Sequence, residues 1–165
     1  MSYSSKYVWT AGESVTASKL NAHISDVLNR LYAYHEDVAT LVPATSWSTS
    51  STTAVDWNGS TPLQLDFKKI DTNTNIIAVW FVGGYATATS QAKFGVRISG
   101  TDYGLTLPMR FVTELNSYQY HGGGVKITGI TPATYTIKLR IMMDSGTYTV
   151  DEFGYATLHL FEVNP

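Results

Sequence analysis

The 165-residue sequence predicts a mainly β protein, with an N-terminal α-helical coiled-coil neck followed by an antiparallel, jelly-roll-like β-sandwich. Three observations carry that prediction. Apolar residues near the N-terminus recur with a heptad period. Beyond about residue 60 the pattern changes to period two, in short runs rich in Val, Ile, Thr, Tyr and Phe. Turn signals at Asn58-Gly59, Ser99-Gly100, Thr131-Pro132 and Ser145-Gly146 punctuate those runs.

The neck is read from Leu20, Ile24, Val27, Leu31, Tyr34, Val38 and Leu41, whose steps alternate between four and three residues. That alternation keeps one seam facing a partner helix. Thr16 suits the N-cap, because its hydroxyl can accept from the free N–H groups of the first turn; Val15 and Leu20 stand at the two positions of a hydrophobic staple. Pro43 cannot continue a helix and closes the other end. Residues 16–42 are therefore expected to form the neck, its helix from Ala17 to Leu41 about 37 Å long at about 1.5 Å per residue. One such helix per chain needs partners, and mixed β-branched and Leu residues at both seam positions allow a trimer as readily as a dimer. The competing reading is an amphipathic helix laid across its own sheet.

The β-domain is expected from residue 45 to the end. A polar Ser/Thr stretch containing Trp47 and Trp57 leads into the runs LQLDF, NIIAVWFVGGYA, KFGVRISG, RFVTEL, YQYHGG, VKITGI, ATYTIKLRIMM, TYTV and ATLHLFEV. Eight or more strands in about 120 residues is the density of a sandwich or jelly roll. In the last long pair, Tyr135, Ile137, Leu139 and Ile141 share one face, and Leu158, Leu160 and Glu162 share another. Trp80 and Phe81 are both expected inside.

Composition narrows the function classes. Charged residues are only 15% of the chain and the formal net charge is −2, so there is no basic field for a phosphate backbone and nucleic-acid binding is not expected. There is no cysteine, hence neither disulfides nor thiolate chemistry. No run reaches the roughly 18 apolar residues of a membrane span, and the start lacks the pattern of a secretory signal, so the expectation is a product made in the cytoplasm without membrane insertion.

The segment VWTAGESVTASKLNAHISDVLNRL resembles a motif near the start of tailed-bacteriophage virion proteins, with Trp9, a turn through Ala11-Gly12-Glu13, and Leu20-Asn21 opening a helix. The ending GITPATYTIKLRIMMDSGTYTV with LHLFEV is similar to the last strands of small β-sandwich domains on phage fibres and virion surfaces. Where many of those proteins carry glycine before the long strand, this chain has Pro132-Ala133-Thr134. The resemblance implies a homotrimeric virion structural protein, a short fibre or decoration protein on a head, collar or tail. It also implies that residues 1–15, with Tyr7, Trp9 and Glu13, attach the protein to other virion proteins.

Catalytic chemistry finds little support. His23 and His35 are twelve residues apart in the helix, which is not the spacing of paired metal ligands. Gly122 to Gly124, after His121, lack the Lys-Ser/Thr ending of a phosphate loop and read as a flexible loop or bulge. No nucleophile elbow is present, and Asp144, Asp151 and Glu152 read as solvated turn carboxylates rather than a glycosidase pair. The expectation is no enzyme, no cofactor and no metal. Aromatic rings near loops are better candidates, because an exposed ring can stack on a sugar face or anchor an interface. Tyr103, Tyr118, Tyr120 and His121 are the candidate receptor contacts, with host cell-surface glycan as the partner in a tail-tip receptor-binding alternative.

Overall fold

The computed structural model describes residues 16–21, 24, 36–86, 90–106, 108–111 and 118–163. Residues 17–21 and 24 are helical, and Thr16 caps them: the Lys19 N–H donates to Thr16 Oγ1 at 3.3 Å and the Leu20 N–H to the Thr16 carbonyl at 3.0 Å. Leu20 and Ile24 are exposed. Val27, Leu31 and Tyr34 of the expected seam, and Tyr7, Trp9 and Glu13 of the expected attachment segment, lie outside the described residues.

The expected helix does not reach residue 42. Glu36–Leu41 is strand β1, paired antiparallel with the last strand. Val38 and Leu41 therefore leave the proposed seam and point to opposite faces of a sheet: Val38 outward and 49% exposed, Leu41 against the core. The physical reason is that Val38 and Thr40 suit a strand, and that pairing these residues completes a sheet while turning Ala39 and Leu41 onto the core. A three-four stripe and an alternating strand share positions over so short a run.

Eleven further strands follow: β2 Trp47–Thr49, β3 Val55–Asp56, β4 Gln64–Lys69, β5 Asn75–Gly84, β6 Ser90–Ile98, β7 Thr101–Tyr103, β8 Pro108–Phe111, β9 Gln119–Ile127, β10 Ala133–Ser145, β11 Tyr148–Val150 and β12 Ala156–Val163. The front sheet has the order β1-β12-β5-β9. The back sheet runs β4-β10-β6-β8, with β3 beside β10 and β7 beside β6, and all pairings are antiparallel. The chain alternates between the sheets so that eight strands make two facing layers of four, the arrangement of a jelly roll. A short β2-β11 pair flanks them.

One core lies between the layers. Ile76, Ala78, Trp80, Val82, Leu158 and Leu160 come from the front sheet and meet Phe67, Phe94, Val96, Ile137, Leu139 and Ile141 from the back. Strict alternation in β10 and β12 turns the predicted residues inward, Glu162 included. That carboxylate sits fully buried 3.7 Å from buried Lys69 Nζ and accepts from the Ile70 and Asp71 N–H groups at 2.9 and 2.8 Å and from the Thr74 hydroxyl. Both carboxylate oxygens are thereby engaged, and the β4–β5 turn is clasped to β12.

Two expectations change. QYHGG and the VKI that follows are one continuous strand, β9, and Gly122 to Gly124 sit inside it opposite β5 rather than in a loop. Trp57, in the polar Ser/Thr stretch, is fully buried, with its Nε1–H donating to the Tyr148 hydroxyl at 3.1 Å. Tyr148 in turn donates to the Gly83 carbonyl at 2.7 Å, and its burial pushes the phenol far above its usual range although the Trp57 bond opposes this.

Candidate functional site

The two layers turn very different outer faces away from the core. On the front sheet the outward positions are Ile77, Val79 and Phe81 of β5, Thr157, His159 and Phe161 of β12, Val38 and Thr40 of β1, and Tyr120, Gly122, Gly124 and Lys126 of β9. Ile77, Val79, Phe81 and Phe161 form an apolar strip on this face, bordered by Thr40, Thr157 and Lys126, with Phe81 50% exposed and the His159 and Phe161 rings stacked at 6.4 Å. Phe81 is a correction. Adjacent strand residues cannot both face the core, and Trp80 takes the inward position.

The outer face of the back sheet is instead a lattice of ion pairs. Arg97 grips Asp102 with two bonds of 2.8 Å; Arg140 Nε lies 3.2 Å from Asp102 while its Nη1 bonds Asp56; Lys138 reaches Asp56 at 3.1 Å. Burial alone would raise the Asp56 pKa, but the bonds and charges of Lys138 and Arg140 hold it below the ordinary carboxylate value. A shallow groove beside Arg140, lined by Trp47, Thr49, Ala54, Asp56 and Gly59, offers no unpaired charge, because its ionic groups satisfy each other.

At one end of the front face lies a group of exposed rings. Gly83 and Gly84 interrupt β5 between two tyrosines on opposite sides: a Cβ on Gly83 would lie 2.4 Å from the Tyr120 ring outside, and one on Gly84 would lie 2.2 Å from the Tyr148 ring inside. Likewise a Cβ on Gly122 would lie 2.8 Å from the Phe81 ring. Phe81 and Tyr120 thus lie down over glycines of the neighbouring strand, which only a missing side chain permits. Tyr155 adds a ring 5.4 Å from that of Tyr120, and Phe153, in the same β11–β12 loop, is 73% exposed. Asp151 fixes this loop: its Oδ1 accepts the Phe153 N–H at 2.9 Å and the Tyr118 hydroxyl.

The four expected receptor contacts do not form one site. Tyr120 is on the outer side of β9, and Tyr118, just before the strand, packs edge-on against Tyr85 at 5.4 Å. His121 faces the opposite side, across from Val82, where burial holds its imidazolium below the usual range. Tyr103 lies in the back sheet on β7, half-buried against the core. Phe81, Phe153 and Tyr155 were missed; the pairing of Phe81 with Gly122 is the signal that would have found the first. Asp144 pairs with Lys93 at 2.8 Å, away from Asp151, so the turn carboxylates do not converge.

No protein-family model and no curated protein sequence matches the chain. Solved structures do. A chain of the infectious bursal disease virus Gx strain is similar at 13% identity and a TM-score of 0.43, over 79% of this chain and 32% of that one. The CBM22-1 xylan-binding domain of Paenibacillus barcinonensis Xyn10C gives 12% and 0.37, over 79% and 83%. A subunit of the disulfide-linked Bacillus endospore appendages gives 10% and 0.35, over 79% and 87%. The chain spans about a third of the length of the virus chain it matches. Likeness at this level is one of β-sandwich architecture, which serves many unrelated functions.

Proposed function

We propose that this protein is a homotrimeric bacteriophage virion structural protein, a short fibre or decoration protein held to the particle through residues 1–15 and displaying the jelly roll. The observation that carries the reading is the apolar outer face of the front sheet. A contiguous surface built from Ile77, Val79, Phe161 and exposed Val38 is what association between copies covers, and the helix start adds exposed Leu20 and Ile24. With β1 beginning at Glu36, the neck of this proposal is confined to residues 16–35 and its seam to Leu20, Ile24, Val27, Leu31 and Tyr34. No catalytic step is assigned.

Light scattering after size exclusion at two concentrations tests it, with a stable mass near three chains as the expected result and a monomer as the refuting one. Deletion of residues 1–15 is expected to abolish particle attachment and leave the trimer intact. A second reading, recognition of host-surface glycan, is favoured by the exposed Tyr120 and its neighbouring rings. It is compatible with the first, because a displayed domain can carry a binding surface.

A further inference from the structure

We infer that Phe81, Tyr120 and Tyr155 form a saccharide-stacking platform at the end of the front sheet remote from the start of β1, with Asp151 as its hydrogen-bonding rim. The inference deepens the glycan reading above, and it rests on that reading for the ligand's cellular source but not for the chemistry.

Placement comes first. In β1, Glu36 pairs with Phe161, and Phe161 pairs with Ile77, so the chain enters the front sheet at the Ile77 end. Leu41 pairs with Ala156, and Ala156 with Val82, five residues further along. At about 3.3 Å per residue the platform rows therefore stand about 17 Å from the point of entry. The platform rows thus stand at the opposite end of the front sheet from the start of β1, beyond the surface where Ile77, Val79 and Val38 would meet a second copy.

The chemistry follows from how the rings are held. Phe81 lies over Gly122 and Tyr120 over Gly83, so each ring is laid against neighbouring backbone with its other side open, and the two remain 50% and 53% exposed. Packing on glycine fixes the ring without covering it. Tyr155 continues the surface 5.4 Å from Tyr120, with the planes tilted by 40°, and is itself 41% exposed. Fixed, adjacent rings suit a ligand with a flat C–H face and lose little entropy on binding it.

Hydroxyl-rich edges need partners as well, and the rim provides them. Both bonds accepted by Asp151 fall on Oδ1, from Phe153 N–H and Tyr118, which leaves Oδ2 with acceptor capacity. The phenol oxygens of Tyr120 and Tyr155 make no hydrogen bond among the described residues. An apolar plane edged by a carboxylate oxygen and two phenols matches a pyranose, whose ring face is apolar and whose equatorial edge donates and accepts. A purely apolar partner would leave these groups unsatisfied.

The test titrates the full chain with soluble cellohexaose, maltohexaose and chitohexaose, following sugar protons by saturation-transfer difference NMR and affinity by calorimetry. At least one saturable interaction is expected, weakened at least tenfold by Tyr120→Ala and by Tyr155→Ala. Asp151→Asn, which keeps an acceptor, should reduce it less. Each variant is checked by circular dichroism and by mass, and Tyr120→Phe serves as the folded control if an alanine variant unfolds, with loss of only the phenol contribution expected. Absence of saturable binding to all three sugars, or binding that ignores every ring variant, overturns the platform. A chain that binds sugar as a monomer would overturn the homotrimer and spare the platform; a trimer that binds none would do the reverse.

Discussion

The front and back outer faces are built from the same kind of strand and carry opposite chemistry. On β10 the outward residues are Thr136, Lys138 and Arg140, meeting Asp66, Asp56 and Asp102, so each charge has a partner in the plane of the sheet. On β5 and β12 the equivalent positions include Ile77, Val79 and Phe161, with the exposed Phe81 ring beyond them. Charged residues are scarce in this chain, at 15%, and the back face holds many of them. An apolar face left open costs solubility and a paired charged face protects it, so the asymmetry is what the proposed association through the front face would need.

The same contrast recurs between ion pairs, and there the largest effect is expected. The Lys69–Glu162 pair is fully buried, whereas Lys138–Asp56 is partly solvated. Replacing Glu162 by Ala strands the Lys69 ammonium in the core and removes the acceptor for two backbone N–H groups and a hydroxyl. The expected cost is about 3–5 kcal/mol, read as a loss of urea midpoint. Lys138→Ala is expected to cost under about 1 kcal/mol, since surface pairs are screened and mobile. Equal costs would mean that the clasp holds nothing together.

Next in size is the effect on association. Val79→Asp places a charge in the middle of the front face, and association between copies should weaken a hundredfold or more, about 3 kcal/mol. Thr134→Asp is the matched change on the back face, at an exposed outward position of β10 opposite Lys68. It should leave both mass and stability within about 0.5 kcal/mol. If light scattering finds the two variants alike, the apolar face is not the covered one.

Legibility from sequence followed the length and regularity of each element. The long alternating strands β10 and β12 were readable down to the inward turn of Glu162, because one face of each is buried and period two is unambiguous over eight or more residues. Turns at Asn58-Gly59 and Ser99-Gly100 were readable because positive φ at both positions restricts the residue types. What escaped depended on partners far away in the chain. Residues 36–41 become a strand because β12 offers an edge more than a hundred residues later, and no local pattern announces that. The triglycine was misread for the same reason: Gly122 is required by Phe81 and Gly124 by the Ala78 carbonyl, both on another strand. The ring group at the end of the front face was half legible, since Tyr118 and Tyr120 were visible as candidates while Phe81 needed its cross-strand glycine to be recognised.

The finest distinction between the faces is one of pH. Asp56 is held below 3.8 by Lys138 and Arg140 against the opposing effect of burial, and the front face has no carboxylate held in this way among its described outward residues. Between the folded value and 3.8 the folded chain keeps Asp56 ionised while the unfolded chain binds a proton there, so acid favours unfolding. The contribution is complete above 3.8 and disappears as the pH falls through the folded value. Asp56→Asn should therefore lower stability at neutral pH by about 1 kcal/mol or less and make the decline below pH 4 shallower. Thermal melts of the two proteins between pH 2 and 7 should converge at the acid end. Parallel curves would mean that the lattice on the back face is held by geometry alone, with Arg140 kept in place by its ion pair to Asp102 and its bond to the Ala54 carbonyl whether or not Asp56 carries charge.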